Sequence, residues 1–358
     1  MATETTYEAA EIKEADLKEA EFSMREARDI VRDLFQPKPR VYWTDLLLTM
    51  AVGILCLRLL RRQPAFSPLQ IVGYVGCVLA FYRAGSFTHE LVHLRTGSFN
   101  AFRTVWNLLC GIPFLMPSFM YYPHIAHHAK THYNTHDDGE YLPLASSPAW
   151  HIILYMANVV FIPIVAIVRF MLMTPLGWLS PSFRRFAQQH ASTLVMDPRY
   201  IRPLPSNKEL LNWRWQELGC FLLGWGMTAM LLTGLLELSY LLKIYLVAVA
   251  VVFLNQVRTL GAHRFLHRGE QLTVLQQLLD SVNHPDQRLT TGLWAPVGLR
   301  YHALHHLFPS MPYHSLREAH ERLMAQLPAD SPYRKTNSPS LFTTLRELWA
   351  RARASSAG

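Results

Sequence analysis

The sequence predicts an all-α integral membrane protein, with four transmembrane helices in two hairpins beneath a helical cap. Three observations lead there. Half of the 358 residues are hydrophobic and only 17% are charged, and long apolar runs alternate with polar, histidine-rich ones. That is membrane-protein composition, yet the mean hydropathy is barely positive, so much of the chain lies in water. Among seventeen histidines, eight fall in three tight clusters.

The elements follow in chain order. Residues 1–40 form a charged N-terminal region without an apolar leader, which predicts a cytosolic N-terminus. Within it 8–36 reads as a helix, solvated over 8–25 and lying on the membrane over 26–36, where Ile30, Val31, Leu34 and Phe35 make an apolar patch; Pro37 and Pro39 end it. Six apolar segments come next, at 43–60, 68–82, 101–122, 149–173, 215–236 and 239–257. A spanning helix needs about 20 apolar residues, so not all need cross.

If the histidine clusters share one site they share one side. Segment 101–122, between clusters one and two, must then dip in and return. One of the three segments before cluster three cannot cross, and 149–173, with Pro163 and Arg169, is the weakest. Four crossings remain, in hairpins 43–82 and 215–257, with both termini and the site cytosolic and the turns at Gln63 and Glu237 outside. The basic loop 175–214 suits the cytosolic side, whereas Arg58, Arg61 and Arg62 on the outer face break the charge rule; parity is the stronger argument. Residues 41–330 thus make the membrane domain. Segment 314–327 is an amphipathic helix, and the basic tail 331–358 holds another at 341–353, with Leu341, Leu345, Leu348 and Trp349 on one face. Cys56, Cys77, Cys110 and Cys220 lie in apolar runs and read as buried hydrophobes. The net charge of +8 suits anionic lipid and an acidic protein partner; no nucleic-acid partner is expected.

The clusters are His89-Glu-Leu-Val-His93, His124-Ile-Ala-His127-His128 and His302-Ala-Leu-His305-His306. Residues at i, i+3 and i+4 share one helix face, so each cluster aims two or three imidazoles in one direction, as a metal needs. Eight ligands exceed the roughly four to six of a single ion and suit two. A lone histidine in a loop is usually a surface polar group, and His151, His190 and His314 are read so; His320 reads as a packed residue. Two HxxHH boxes and one HxxxH in one chain are not a coincidence of that kind.

These boxes resemble those of the membrane fatty acid desaturase and hydroxylase superfamily, whose members are non-haem di-iron enzymes. The resemblance extends over nearly all the chain and is most specific at Tyr301-His-Ala-Leu-His-His-Leu-Phe-Pro309. It implies that His89, His93, His124, His127, His128, His302, His305 and His306 bind two irons and make up the catalytic centre. The expected activity is O2-dependent desaturation of a lipid-linked or carrier-linked acyl chain lying in an apolar tunnel. Hydroxylation, acetylenic-bond formation or carotenoid oxygenation are the alternatives on the same scaffold. Electrons would come from a separate ferredoxin-like or small haem protein. The expected location is the inner membrane of a bacterium, or the endoplasmic reticulum of a eukaryote.

The resemblance also implies a ninth histidine before the third box. If the helix of 239–257 runs on, His263 and His267 lie one turn apart on one face; His263 is nearer the membrane and is chosen, with His284 third. Gly261 threatens that helical extension. Asn255 is a weaker candidate, for a contact through water. Glu90, Asp137, Asp138, Glu140, Asp280 and Asp286 are candidates to orient the imidazoles, each otherwise a solvated carboxylate. Two rivals stand beside this reading. His89-Glu90-x-x-His93 is also the HExxH of zinc metalloproteases, with Glu90 as base, but that leaves two boxes unexplained. A divalent-metal transporter would need ionisable residues at mid-membrane, and segments 68–82 and 215–236 offer few.

Overall fold

The structure, a computed structural model, describes residues 24–94 and 97–355. The N-terminal portion of the expected 8–36 helix lies outside them; what is seen is a short helix α1, Met24–Ile30, and a 3₁₀ turn at Arg32–Phe35. Among the described residues there are no strands, only isolated bridges such as His263 with Ser281.

The first hairpin is built as the sequence directs. Pro39 and Pro68 open α2 (Pro39–Arg62) and α3 (Pro68–His93), each at a first-turn position where no amide hydrogen is needed. Ser67 caps α3 by accepting from Gln70 N, and the Gln70 side chain donates to Leu60 O and Gln63 O, closing the turn. The helices touch through small residues: a Cβ on Gly73 would stand 2.7 Å from Leu60 N and 2.9 Å from Cys56 O. At 26 residues, α3 continues past the apolar segment and delivers the first cluster on its last turn.

Segment 101–122 reverses direction. After α4 (Asn100–Trp106) and a π-helical turn at Asn107–Gly111, Asn107 Nδ2 donates to Ser118 Oγ and Ser118 N donates to Asn107 Oδ1, each at 2.9 Å. Two exchanged hydrogen bonds between residues eleven apart hold the chain folded back on itself.

Four described helices are long and apolar enough to cross a membrane: α2, α3, Ile162–Leu179 and Leu238–Leu260. The number agrees with expectation, but the membership does not, since Ile162–Leu179 takes the place of 215–236. The reason is composition, and a buried ion pair removes the cost of the charge that argued against the first of these segments. Asn207–Leu232 carries Gln216 and Glu217 well inside, which lowers its hydropathy, while Arg169 of the other segment is neutralised by that same Glu217. With α5 (His124–His127), α6 (Trp150–Val160), α7 (Ile162–Leu179), α8 (Pro181–His190), α9 (Asn207–Leu232) and α10 (Leu238–Leu260) in place, the path is clear. Ile152 of α6 packs with Leu260, Tyr245 donates to Val160 O deeper along α10, and Arg169 returns to Glu217. Leu194 N then bonds Met120 O and Met196 N bonds Gly139 O, on either side of the second cluster. The chain therefore leaves the cap at about residue 149 and comes back to it by 194. Helices α9 and α10, joined through Gly234 at φ +75°, form the second hairpin.

The cap is completed by α11 (Val274–Asp280), α12 (Arg288–Trp294), α13 (His302–Leu307), α14 (Leu316–Gln326) and α15 (Leu341–Ser355). Leu348 and Ala352 of α15 are buried against Tyr133, Tyr141 and Phe265, so this helix braces the loop after the second cluster.

Arg169 is buried among Ser192, Thr174 and Glu217, donating to all three. Removing one partner of a buried pair costs about 3–5 kcal/mol, whereas replacing both with apolar groups is close to neutral. Arg169→Met should therefore lower the thermal unfolding midpoint in detergent sharply. The double variant Arg169→Met/Glu217→Leu should recover most of that loss.

Candidate metal centre

Nine histidines converge on one place. His89 and His93 come from the last turn of α3, His124, His127 and His128 from the short α5 and its C-cap, and His302, His305 and His306 from α13. The ninth is His263. They divide into two groups whose ligand atoms all lie within 4.8 Å of one another: His89, His93, His124, His128 and His305, and His127, His263, His302 and His306. The groups abut where the His128 and His306 rings stand 4.3 Å apart.

His263 arrives by a route other than the expected one. The helix does not continue: α10 ends at Leu260, and Gly261 caps it. The chain turns, and His263 is held by bridging to Ser281, with Val282 N donating to Ala262 O. The facing argument that paired His263 with His267 does not apply, because the latter lies in a loop and bonds Glu270 instead. His284 is turned away, its Nε2 donating to Gly261 O. Asn255 accepts from Arg258. His314 accepts from Lys38 N, and His320 is buried against the Tyr333 hydroxyl.

Within each group the ring nitrogens face one another. His305 Nε2 lies 3.2 Å from His93 Nε2 and 3.1 Å from His128 Nε2, and His128 Nε2 lies 2.9 Å from His124 Nε2. In the second group His302 Nε2 lies 2.8 Å from His263 Nε2 and 3.1 Å from His306 Nε2, and His127 Nε2 lies 3.2 Å from His263 Nε2. Such separations match neighbouring ligands at right angles about one ion with bonds of about 2.1 Å. Burial, and then repulsion among the rings, holds His124, His128, His302, His305 and His306 well below the ordinary histidine range, so the imidazoles are neutral. A neutral imidazole has one donor and one acceptor, so a ring of mutually facing Nε2 atoms cannot all be satisfied by each other. Both ring nitrogens of His89 are buried without a hydrogen-bond partner. A metal cation answers that need, and the donor set fits non-haem iron as well as other imidazole-binding metals.

Carboxylates stand behind the rings. Glu140 Oε2 faces His124 Nδ1 at 2.9 Å, and Asp138 Oδ2 faces His127 Nδ1 at 2.9 Å. His263 Nδ1 donates to the Tyr133 hydroxyl at 2.9 Å, which donates to Asp280 Oδ2 at 2.9 Å; Tyr141 and Leu266 N also donate to Asp280. Each contact puts the proton on Nδ1 and leaves the Nε2 lone pair facing inward. Burial would lower His127, but the charge and hydrogen bond of Asp138 outweigh it and raise it. Burial would likewise raise Asp280, yet the contact with His263 holds it below the usual carboxylate range. Glu140, with less support, is pushed up to about 7 by burial.

Three of the six carboxylate candidates are therefore in place. Asp137 is exposed beside His136, and the Asp286 backbone oxygen receives Thr291 and Arg300. Glu90, one residue on from His89, turns away from the cage and accepts from the Tyr42 hydroxyl at 2.7 Å and Tyr313 N at 3.2 Å. It is committed to holding α3 against α2 and the segment after the third box, and does not stand as a protease base. Sequence reasoning passed over Tyr133, Tyr121, whose ring stacks on His124 at 4.8 Å, and Arg258. The first two lie within a dozen residues of the second box, but no spacing rule marks a tyrosine as a histidine's partner.

The fatty acid desaturase family model matches residues 67–337, a range that contains all nine histidines. A curated relative, the ceramide hydroxylase of Caulobacter vibrioides (strain NA1000 / CB15N), is 38% identical over 341 residues, which cover 93% of this chain and 95% of that protein. No solved structure matches the chain. The histidine groups are consistent with a non-haem iron centre, and with such agreement over most of its length this chain belongs to the fatty acid desaturase family, an oxidoreductase of the desaturase and hydroxylase superfamily.

Proposed function

We propose that the chain is an O2-dependent hydroxylase of a membrane lipid, acting on ceramide or a closely similar lipid through two histidine-held irons. The observation that carries this reading is the convergence of two buried histidine groups in a chain 38% identical to a ceramide hydroxylase over nearly its full length. Desaturation, which the sequence alone placed first, becomes the second reading.

The iron pair, when bound, supplies what no side chain can: activation of O2 and removal of hydrogen from an unactivated methylene. The chain supplies the rest. Group one draws on five imidazoles and group two on four, all nine serving as ligands. Asp138, Glu140 and the Tyr133–Asp280 pair hold three of those rings in the tautomer and orientation that binding requires. Buried packing around α5 and α13 keeps bulk water from the reacting carbon. Hydroxylation takes one O2, two electrons and two protons; one oxygen enters the C–H bond and the other leaves as water. Desaturation takes the same inputs and releases two waters. Electrons arrive from a separate ferredoxin-like or small haem protein, and the site and both termini face the cytosol, where such a donor works.

Four outcomes are expected. Protein handled without oxygen should carry about two irons per chain, as nine imidazoles exceed the needs of one ion. His263→Ala should lower that content and His267→Ala should not; retention by the first and loss by the second would exclude His263. Asp138→Asn should weaken iron binding by about 10–100-fold while the protein stays folded, because it removes only the group behind His127; a chelator titration measures this. Lipid mass spectrometry of cells expressing the chain, against cells expressing His305→Ala, should show a lipid gaining one oxygen. A loss of two hydrogens instead would move the assignment to desaturation, and an unchanged lipid profile would sink both.

A further inference from the structure

Arg258 is the feature of this site that the ligand set does not use. It sits in the last turn of α10, a helix of which few residues are fully buried along its length. An arginine at a membrane edge normally extends its guanidinium outward to water. Here the side chain points inward and is only 7% exposed. Its Nη2 donates to Asn255 Oδ1 at 3.1 Å, and the Tyr82 and Tyr121 hydroxyls lie within hydrogen-bonding reach. Its Nε is buried and has no hydrogen-bond partner, and neither has Glu140 Oε1.

The surroundings say what such a donor is for. The charge of Arg258 is close enough to act on both His89 of group one and His302 of group two. Tyr155 approaches from α6, near Thr259, and also feels the charge of Arg258. Tyr82 already donates to Trp294 O at 2.9 Å, and Tyr121 points its hydroxyl at Glu140 Oε2 at 3.4 Å. The Glu140 carboxyl lies close by with Oε1 unpartnered, so an anion placed at Arg258 would face a carboxyl oxygen. What fits is a neutral oxygen that accepts a hydrogen bond from Nε, such as a hydroxyl or an amide carbonyl.

We propose that Arg258, flanked by Tyr82, Tyr121 and Tyr155, binds an oxygen of the substrate lipid and so sets which carbon lies at the histidine groups. This rests on the reading of the chain as a lipid oxidase and narrows its substrate class. The lipid carries a hydroxyl or amide near the oxidised carbon, and a plain hydrocarbon chain would bury Nε without a partner. A site built to bond a substrate oxygen can discriminate against the analogue lacking it by about 10⁴-fold or more.

The test is equilibrium binding to the iron-loaded full chain in nanodiscs without O2, so that nothing turns over. The probes are a short-chain ceramide and a lipid of equal length without the amide and hydroxyl groups. Wild type should prefer the ceramide by at least about 100-fold, a conservative fraction of that ceiling. Arg258→Met should shrink this ratio at least tenfold with iron content retained, and Arg258→Lys should keep part of it. Should Arg258→Met fail to load iron, Tyr155→Phe, which removes only a hydroxyl, should still reduce the ratio several-fold. An equal ratio in wild type and the variants overturns the proposal. Supplying O2 and reductant to wild type is a separate arm: if neither lipid is oxidised, the hydroxylase reading falls whatever the binding ratio shows.

Discussion

Nine imidazoles turned toward one another in a buried space are the constraint on which the rest of the structure depends. Their Nε2 atoms approach to about 3 Å, and no hydrogen-bond pattern among neutral rings can satisfy them all. Such an arrangement persists only if the backbone carrying it is held from outside and if cations answer the lone pairs. The membrane hairpins meet the first condition. Helix α3 presents His89 and His93 on its final turn, and α10 stops at Gly261 so that the chain can bend His263 into the second group. The third box rests on Tyr301 and is pinned by Leu304 N bonding the buried Asn283 side chain.

The cap is tied to the hairpins by polar contacts placed where a membrane protein can afford few of them. Glu90 bonds Tyr42 and Tyr313, while Asp45 of the same α2 receives Arg83 and the Tyr313 hydroxyl. These join the first box, the first hairpin and the segment after the third box in one network. A displacement of α2 would therefore reach His89 through α3. The HExxH spelling of the first box, which suggests a general base, instead records a residue that sets the angle of the helix.

Much of this was legible in the sequence, and the parts that were not share a cause. Boxes and apolar segments are local patterns, so the eight box histidines, the two hairpins and the returning segment at 101–122 could be read directly. The paired charges of Arg169 and Glu217 are 48 residues apart and cancel only in three dimensions, so Arg169 counts against 149–173 in the sequence but not in the fold. His263 was chosen on a helical extension that Gly261 in fact prevents; a short bridge to Ser281 places it instead, and no periodicity announces an isolated bridge. Tyr133 escaped notice for the same reason, since it is defined by lying between His263 and Asp280, which are themselves 17 residues apart.

On the proposed reading, the placing of negative charge lets one site hold metal ions and admit an apolar substrate together. If carboxylates were themselves ligands, they would lower the charge of the metal and put polar atoms at the face the lipid must approach. Here Asp138, Glu140 and Asp280 sit one ring behind, each reaching the site through an imidazole Nδ1 or through Tyr133. Their charge still strengthens the Nε2 donors, because a hydrogen bond accepted from Nδ1–H makes the ring more basic. The inner face presents imidazole rings, with the Tyr121 ring stacked on that of His124. Support is unequal: group two has two carboxylates behind its four ligands, and group one has Glu140 behind five. Group one is thus the more weakly supported half, and it is also the half where Tyr121 stands, beside Glu140. Tyr133 serves the better supported group two, whereas Tyr121 stacks on His124 of group one, the half with a single carboxylate behind it.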